Sequence, residues 1–158
     1  MKTLKITTDN KISIINVDFE DFKAIQQEIG GYFETVHTQT MFDYFKAPVL
    51  MLVDEEGMIK NLPVNVVASH FYGFKNHGHV IAGDTIFALA LGEDMIGFGD
   101  RDSEQWMGKL LKDFPVLERG DLKEFAQTTL IVLWCGLVIG SGIAVGLIAV
   151  GSLWLRMG

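Results

Sequence analysis

Three of the four histidines lie close together in the sequence, and their spacing comes nearest to that of a metal site. His77 and His79 flank a single glycine, so an extended backbone would point both imidazoles to the same side. Two imidazoles can begin a tetrahedral zinc site, which His70 and Asp84 would have to complete. Because histidines beside loop glycines are more often solvated, we predict no bound metal, with His77 and His79 as the candidate ligands if one binds.

Carboxylates form the second candidate group, in the segment Asp54-Glu55-Glu56-Gly57. Adjacent carboxylates can hold a cation or act as an acid and base pair. Here they stand between two apolar runs and end in a glycine, which is the usual composition of a solvated hairpin turn. We therefore predict that this segment is a solvent-exposed turn and that it is not catalytic.

Motifs for covalent catalysis and for phosphate binding are missing from the sequence. Gly30-Gly31 belongs to neither a Walker pattern nor a G-x-G-x-x-G pattern and is better explained as the end of a helix. Ser69 precedes His70 but has no oriented base, and the single cysteine, Cys135, lies in an apolar stretch. The sequence therefore predicts a protein that is not an enzyme and binds no cofactor.

The elements that would position these residues begin with strands. Alternation of apolar and polar residues predicts a hairpin of two short strands at 4–7 and 12–14. Further strands are predicted at residues 32–38, 48–53, 80–81 and 85–91, with 58–62 as a strand that returns from the acidic turn.

Helix signals lie between the predicted strands. Asp18 is expected to cap a first helix, which ends at Gly30. A short helix follows Pro63, and Ser103 is expected to cap a longer one that ends before Pro115. Strand signals separated by helices indicate an α+β domain, a small and mostly antiparallel sheet with two or three helices.

Charge is confined almost entirely to the first 124 of the 158 residues. They hold all 20 acidic residues and 12 of the 13 basic ones, which gives a net charge of −8. Such a surface repels phosphates and has no basic stripe, so we predict no binding of nucleic acid. A further interpretation is that the acidic surface imitates DNA toward a DNA-binding protein.

Residues 128–155 are 28 consecutive uncharged and mostly apolar positions. A bilayer core of about 30 Å needs about 20 apolar residues in a helix, so this stretch predicts one transmembrane helix and is too short for two. The predicted organisation is therefore an acidic domain at 1–114, a charged neck at 115–127 and a span at 128–155.

The flanks of the predicted span indicate its orientation. Lys109, Lys112, Arg119 and Lys123 precede it, whereas Arg156 alone follows it. Because basic residues stay on the cytoplasmic side, we predict that the domain is cytoplasmic. The first residues contain no apolar segment typical of a signal peptide, so the expected arrangement is that of a tail-anchored protein.

Small residues recur every four positions within the predicted span. One row contains Gly136, Gly140 and Ala144, and a second row contains Gly142 and Gly146 on a different face of the helix. Small residues let helix backbones approach closely in lipid, so two rows predict two neighbours for each helix and hence a homo-oligomer. The alternative is that glycine is simply frequent in membrane helices.

Four short motifs follow one another in the first half of the chain. They are Gln26-x-x-Ile29-Gly30-Gly31-Tyr32-Phe33-Glu34, Asp54-Glu55-Glu56-Gly57, Leu62-Pro63-Val64-Asn65 and Ile81-Ala82-Gly83-Asp84. Over about residues 4–92 their order resembles a small family of unknown function, common in bacteria, phages and mobile elements, with Q-x-x-V-G-G-Y-I-E, N-E-E-G and L-P-x-N motifs. Asp54 stands where that family usually has asparagine. The resemblance implies a domain boundary and a mobile-element setting, but no chemistry.

These observations favour one function and leave two others open. The leading hypothesis is a non-enzymatic, tail-anchored protein of the bacterial inner membrane, whose cytoplasmic domain binds a protein partner and whose glycine-rich span clusters it. The first alternative is a phage or mobile-element effector that perturbs the bilayer when its spans oligomerise. The second alternative is an acidic inhibitor that imitates DNA.

Overall fold

The computed structural model describes residues 1–120, which form five helices and a seven-stranded sheet. The strands are β1 (Lys2–Ile6), β2 (Lys11–Asn16), β3 (Phe33–Val36), β4 (Val49–Asp54), β5 (Thr85–Leu91), β6 (Asp94–Ile96) and β7 (Glu118–Arg119). The helices are α1 (Phe22–Ile29), α2 (Gln39–Phe45), α3 (Val66–Tyr72), α4 (Phe74–His77) and α5 (Asp100–Asp113). The α+β class is confirmed, whereas the expectation of two or three helices is wrong.

The sheet has the strand order β3-β4-β5-β1-β2-β7, and β6 also pairs with β5. Every pair is antiparallel except β2 with β7, which is parallel, so the sheet is mixed. Strand β3 forms one edge of the sheet. Strand β7 forms the other edge and lies within the segment 115–127 that the sequence predicts as a neck.

Both faces of the sheet are covered by helices, which explains the continuous apolar run of β4. Helices α2, α3 and α5 pack on one face, and α1 packs on the other. All six residues of β4 are buried, as expected for a strand with a core on each side. The first core includes Met51, Val53, Phe71, Phe87 and Met107, and the second includes Ile25, Leu52 and Ile86.

The cap of helix α1 lies three residues after the predicted one. The side chain of Asp21, not that of Asp18, caps the helix by accepting a hydrogen bond from the backbone N–H of Lys23 at 2.9 Å. Asp18 instead accepts one from the N–H of Glu20 in the preceding turn, at 3.0 Å. The predicted end is confirmed, because Gly30 closes the helix with a φ of 92°.

Ser103 is not the cap of α5, contrary to the prediction. The helix begins at Asp100 after Gly99, so Ser103 lies inside its first turn and is fully buried. Asp100 and Asp102 occupy the same turn, where their negative charge favours the helix N-terminus. Acidic residues therefore start this helix in place of a serine cap.

The predicted strand at 58–62 is also wrong. The N–H of Lys60 donates to the carbonyl of Glu56 at 2.8 Å, and the N–H of Leu62 donates to that of Gly57 at 3.0 Å. These local hydrogen bonds make consecutive turns and leave the segment no role in the sheet. Strand β4 is therefore not followed by a hairpin partner; it pairs instead with β3 and with the distant β5.

The predicted span at 128–155, with both rows of small residues, lies outside the described residues. Within residues 1–120, no helix has the length and apolar content needed to cross a membrane.

Candidate functional site

The four sequence motifs meet at one end of the sheet, although they are far apart in the chain. A Cβ built on Gly31 would lie 2.9 Å from Oδ2 of Asp54, and one on Gly83 would lie 3.0 Å from Cδ1 of Leu62. A Cβ on Gly57 would overlap the carbonyl oxygen of Ala82. Glycine is required at Gly57 because the close neighbour there is backbone, which cannot turn aside for a side chain as a flexible side-chain end can.

Asp54 lies at the centre of this junction, at the last position of β4. Its side chain is fully buried and accepts hydrogen bonds from Nζ of Lys60 at 2.8 and 3.1 Å. It also accepts one from the backbone N–H of Glu56 at 2.8 Å. The predicted turn at 54–57 is thus confirmed, but full exposure is wrong, because only Glu55 and Glu56 among its carboxylates face solvent.

The charge of Asp54 is balanced inside the junction. The hydrogen bond to Asp54 raises the pKa of the Lys60 ammonium above its ordinary value of 10.5, and the negative charges of Asp54 and Glu56 act in the same direction. Lys60 therefore stays protonated at neutral pH, and its contact with Asp54 ties the acidic turn to the residues that follow it.

Asn65 of the third motif holds three segments together. Its Nδ2 donates to the carbonyls of Ile6 at 3.0 Å and Gly83 at 3.2 Å, and its side chain accepts from the N–H of Ala68 at 3.1 Å. The residue is 1% exposed. Asn65 therefore caps α3 and fixes that helix against β1 and the fourth motif.

The hydroxyl of Ser69 is hydrogen-bonded to backbone groups of two segments. Its hydroxyl donates to the carbonyl of Asn65 at 2.7 Å and accepts from the N–H of Ile81 at 2.9 Å. The side chain is buried, and its hydrogen bonds join the start of α3 to the segment around Ile81.

A cleft of about 200 Å³ opens beside the junction. Strand β3 supplies Glu34, the acidic turn and the residue after it supply Glu55 and Met58, and Tyr72 and His79 also line the cleft. Val53, Asp54, Val80, Ile81 and Ala82 form the rest of the lining. The exposed carboxylates at the mouth suit a cationic group, and Met58 and Tyr72 add apolar surface beside them.

The structure does not bring the candidate metal ligands together. His79 lies in the wall of the cleft, whereas the other three have separate neighbours: His70 packs against Phe114, His77 against Tyr72, and Asp84 pairs with Lys5. Among the residues that the structure describes, no group of three or more His, Cys, Asp or Glu side chains is placed to hold a metal.

Several residues of the cleft have no distinct signal in the sequence. Met58 and Tyr72 are ordinary apolar positions of a turn and a helix end, and Glu34 appears only as the last letter of a motif. The nearest signal in the sequence is the order of the four motifs. It indicates that their residues belong to one domain, but it does not indicate that they are in contact.

The buried ion pair leads to a stability prediction. We expect Lys60→Met to lower the free energy of unfolding, because it leaves the carboxylate of Asp54 buried without its cation. The loss should be smaller than for a fully buried pair, because the Lys60 side chain is partly exposed to solvent. Urea unfolding of the fragment 1–120 measures the change through Trp106, its single tryptophan.

Two further variants serve as controls. Lys75→Met removes an exposed lysine of α4 and should change the free energy of unfolding by less than about 0.5 kcal/mol. The double variant Asp54→Asn, Lys60→Met should be more stable than Lys60→Met, because it leaves no buried charge. A double variant as unstable as Lys60→Met would show that the ion pair is not the cause.

The comparisons with known proteins place the chain in a family without assigning an activity. A family model for a domain of unknown function matches residues 1–111 of the chain. The chain belongs to this family, the Domain of unknown function DUF3846. Comparison with curated proteins and with solved structures gave no match. Membership of a family of unknown function is thus confirmed, and the phage or mobile-element setting stays a prediction.

Proposed function

We propose that this chain is a non-enzymatic, membrane-anchored protein whose acidic domain binds a protein partner. The observation that carries the proposal is the division of charge along the sequence. All 20 acidic residues lie in the first 124 positions, whereas residues 125–155 contain no charged side chain. Burial of the uncharged stretch in a bilayer is favourable, and residues 1–124, with their net charge of −8, would stay in water at the membrane surface.

The basic residues on either side of the stretch support one orientation. Four lysines and arginines between positions 109 and 123 precede it, and only Arg156 follows it. Since this bias retains the basic flank in the cytoplasm, the domain would lie on the cytoplasmic face of a bacterial inner membrane.

The two rows of small residues support clustering of the anchored chains. Gly136, Gly140 and Ala144 would pack against one neighbour, and Gly142 and Gly146 against another. Clustering would present several copies of the domain to one partner and strengthen weak binding without new contacts.

Exposed apolar side chains next to the cleft support a protein partner. Met58 is 58% exposed, Ile59 is 80% exposed and Tyr32 is 64% exposed. Tyr32 adjoins the acidic turn, because its carbonyl accepts a hydrogen bond from the N–H of Glu55 at 3.1 Å. Single exposed apolar residues are common, but tyrosine and methionine gathered beside one cleft are typical of an interface.

Capture from gently solubilised membranes tests the proposal. The full chain should retain a protein that is not retained by a control in which an unrelated soluble domain replaces residues 1–120. Recovery of the same proteins with both baits would contradict partner binding by the domain.

The rows of small residues also support a second candidate function, a membrane effector. If oligomerised spans perturb the bilayer, expression of residues 121–158 alone should make the inner membrane leaky to a small dye. An intact membrane under those conditions favours the anchor over the effector.

A further inference from the structure

Strand β3 is an edge strand with backbone groups available for pairing. Among residues 1–120 it pairs only with β4, and the N–H of Glu55 donates to the carbonyl of Tyr32 at the start of this pairing. Hydrogen-bonded positions alternate along an antiparallel pair, so Glu34 and Val36 face β4. The N–H and C=O groups of Phe33 and Thr35 therefore point away from the sheet.

Glu34 lies between these two positions, with its side chain beside the cleft. It is exposed and lines the cleft together with Glu55 and Tyr72. An antiparallel strand added to β3 would place one residue opposite Glu34 at a non-hydrogen-bonded position, where the two Cα atoms are about 4.5 Å apart. A lysine or arginine at that position would meet the carboxylate directly.

Aromatic side chains lie on the opposite face of the same edge. Phe33 packs on the second core, and its ring centroid is 6.0 Å from that of Phe22, which is 60% exposed. Residues of an added strand opposite Phe33 and Thr35 would point to this face. Apolar side chains there would cover Phe22 and remove it from water.

We propose that the β3 edge binds an extended segment of the partner protein as an additional antiparallel strand, with the pattern apolar–basic–apolar and the basic residue opposite Glu34. The inference deepens the proposed function and rests on it, since it specifies how the domain holds its partner. Main-chain hydrogen bonds to Phe33 and Thr35 supply the attachment, and the acidic cleft and the aromatic face select the sequence.

Charge favours a partner of different sequence over a second copy of this chain. Pairing of β3 with β3 across a two-fold axis would bring two Glu34 side chains to the same face, and like charges on neighbouring strands are unfavourable. A basic segment finds opposite charge at the same position, in a chain whose first 124 residues already carry a net charge of −8.

A four-residue edge gives weak binding at one site, which fits the proposed clustering. Phe33 and Thr35 together offer four backbone hydrogen bonds, and each contributes little net free energy in water. Several anchored copies would then be needed to hold the partner firmly.

The test measures binding by fluorescence anisotropy. The protein is the full chain in lipid nanodiscs, and the probe is a labelled eight-residue peptide of alternating valine and arginine. Replacement of every arginine in the peptide by glutamate should weaken binding at least tenfold. Glu34→Arg should weaken binding of the arginine peptide by a similar factor and should create binding of the glutamate peptide. Glu93→Arg, a change of the same charge in the turn between β5 and β6, should leave both affinities within about twofold.

Backbone pairing is tested by N-methylation of the peptide, which leaves the protein unaltered. Methylation of the valine nitrogens, which face Phe33 and Thr35 when arginine is opposite Glu34, should abolish binding. Methylation of the arginine nitrogens, which point away from the sheet, should be tolerated.

Equal binding of the two methylated peptides, or unchanged binding by Glu34→Arg, would overturn the inference. Cross-linking of two copies of the chain through β3 in the nanodisc would also overturn it, because the occupant would then be a second copy. If the full chain and its Glu34→Arg variant capture the same partner equally well, the proposed function stands and only the strand addition is refuted.

Discussion

Substitution of Gly57 by alanine should lower the free energy of unfolding by about 3 kcal/mol. The added Cβ would overlap the carbonyl oxygen of Ala82 and lie 3.1 Å from its carbonyl carbon. Both are backbone atoms of a segment held on each side, by the Asn65 N–H donating to Ile81 and the Gly83 N–H donating to Pro63, each at 2.9 Å. The segment cannot withdraw from the new methyl group without loss of these hydrogen bonds.

Gly108→Ala is the matched control for this substitution. Gly108 lies in the middle of α5, and a Cβ built on it has no neighbour within 4 Å. Alanine is the better helix former, so this variant should be more stable than the parent by about 0.5–1 kcal/mol. Urea unfolding of fragment 1–120 compares the two, and a Gly57→Ala variant as stable as Gly108→Ala would contradict the close packing of the two motifs.

Replacement of either glycine row should abolish the oligomer if the spans form a ring. Gly140→Ile places a branched side chain in the first row, and Gly146→Ile does the same in the second. In a ring each contact joins row one of one helix to row two of the next, so loss of either row removes every contact. Both variants should therefore run as monomers after cross-linking in membranes.

A symmetric dimer built on the first row gives a different result. In that case Gly140→Ile should yield monomer and Gly146→Ile should leave the dimer intact. Leu147→Ile, which changes a neighbouring apolar position without adding bulk, serves as the control for both. An unchanged oligomer in both glycine variants would show that the glycines reflect composition, and clustering by the span would be refuted.

The sequence predicted best the elements whose signals are local. The alternation in residues 4–7 and 12–14 predicted the β1–β2 hairpin, and Pro63 predicted the short helix that follows it, which is α3. Gly30 ended α1 as expected, because the residue at that position adopts the left-handed conformation, which strongly favours glycine. These features depend on a few consecutive residues.

Features that depend on tertiary contacts were predicted poorly. Residues 58–62 have the composition of a strand, yet the ion pair from Lys60 to Asp54 and the local backbone hydrogen bonds hold them as turns. Helix α2 was not predicted; its cap is Thr38, and its Met41 and Phe45 are buried in the core. The neighbours of Met41 and Phe45 come from distant parts of the chain, which a local pattern does not record. The turns at 58–62 depend on a charged contact that the composition of the segment does not indicate.

The candidate site shows the same difference between local signals and tertiary contacts. The motif order correctly grouped Gly31, Asp54 and Gly83 in one domain, but it gave no indication that Asp54 is buried or that Glu34 and Tyr72 face one cleft. The candidate metal ligands His70, His77 and His79 were considered together because they are close in the sequence, although no bound metal was predicted. His70 packs against Phe114, His77 against Tyr72, and His79 lines the cleft.

Membrane extraction of the full chain and of a variant without residues 125–158 tests the central proposal most directly. The full chain should remain in the membrane fraction after washing with alkaline carbonate, which releases proteins held only by surface contacts. The shortened chain should appear as a folded protein in the soluble fraction, because all seven strands that the structure describes lie within residues 1–120. A full chain that carbonate releases, together with a shortened chain that is insoluble, would show that the apolar stretch belongs to the protein core and would contradict membrane anchoring.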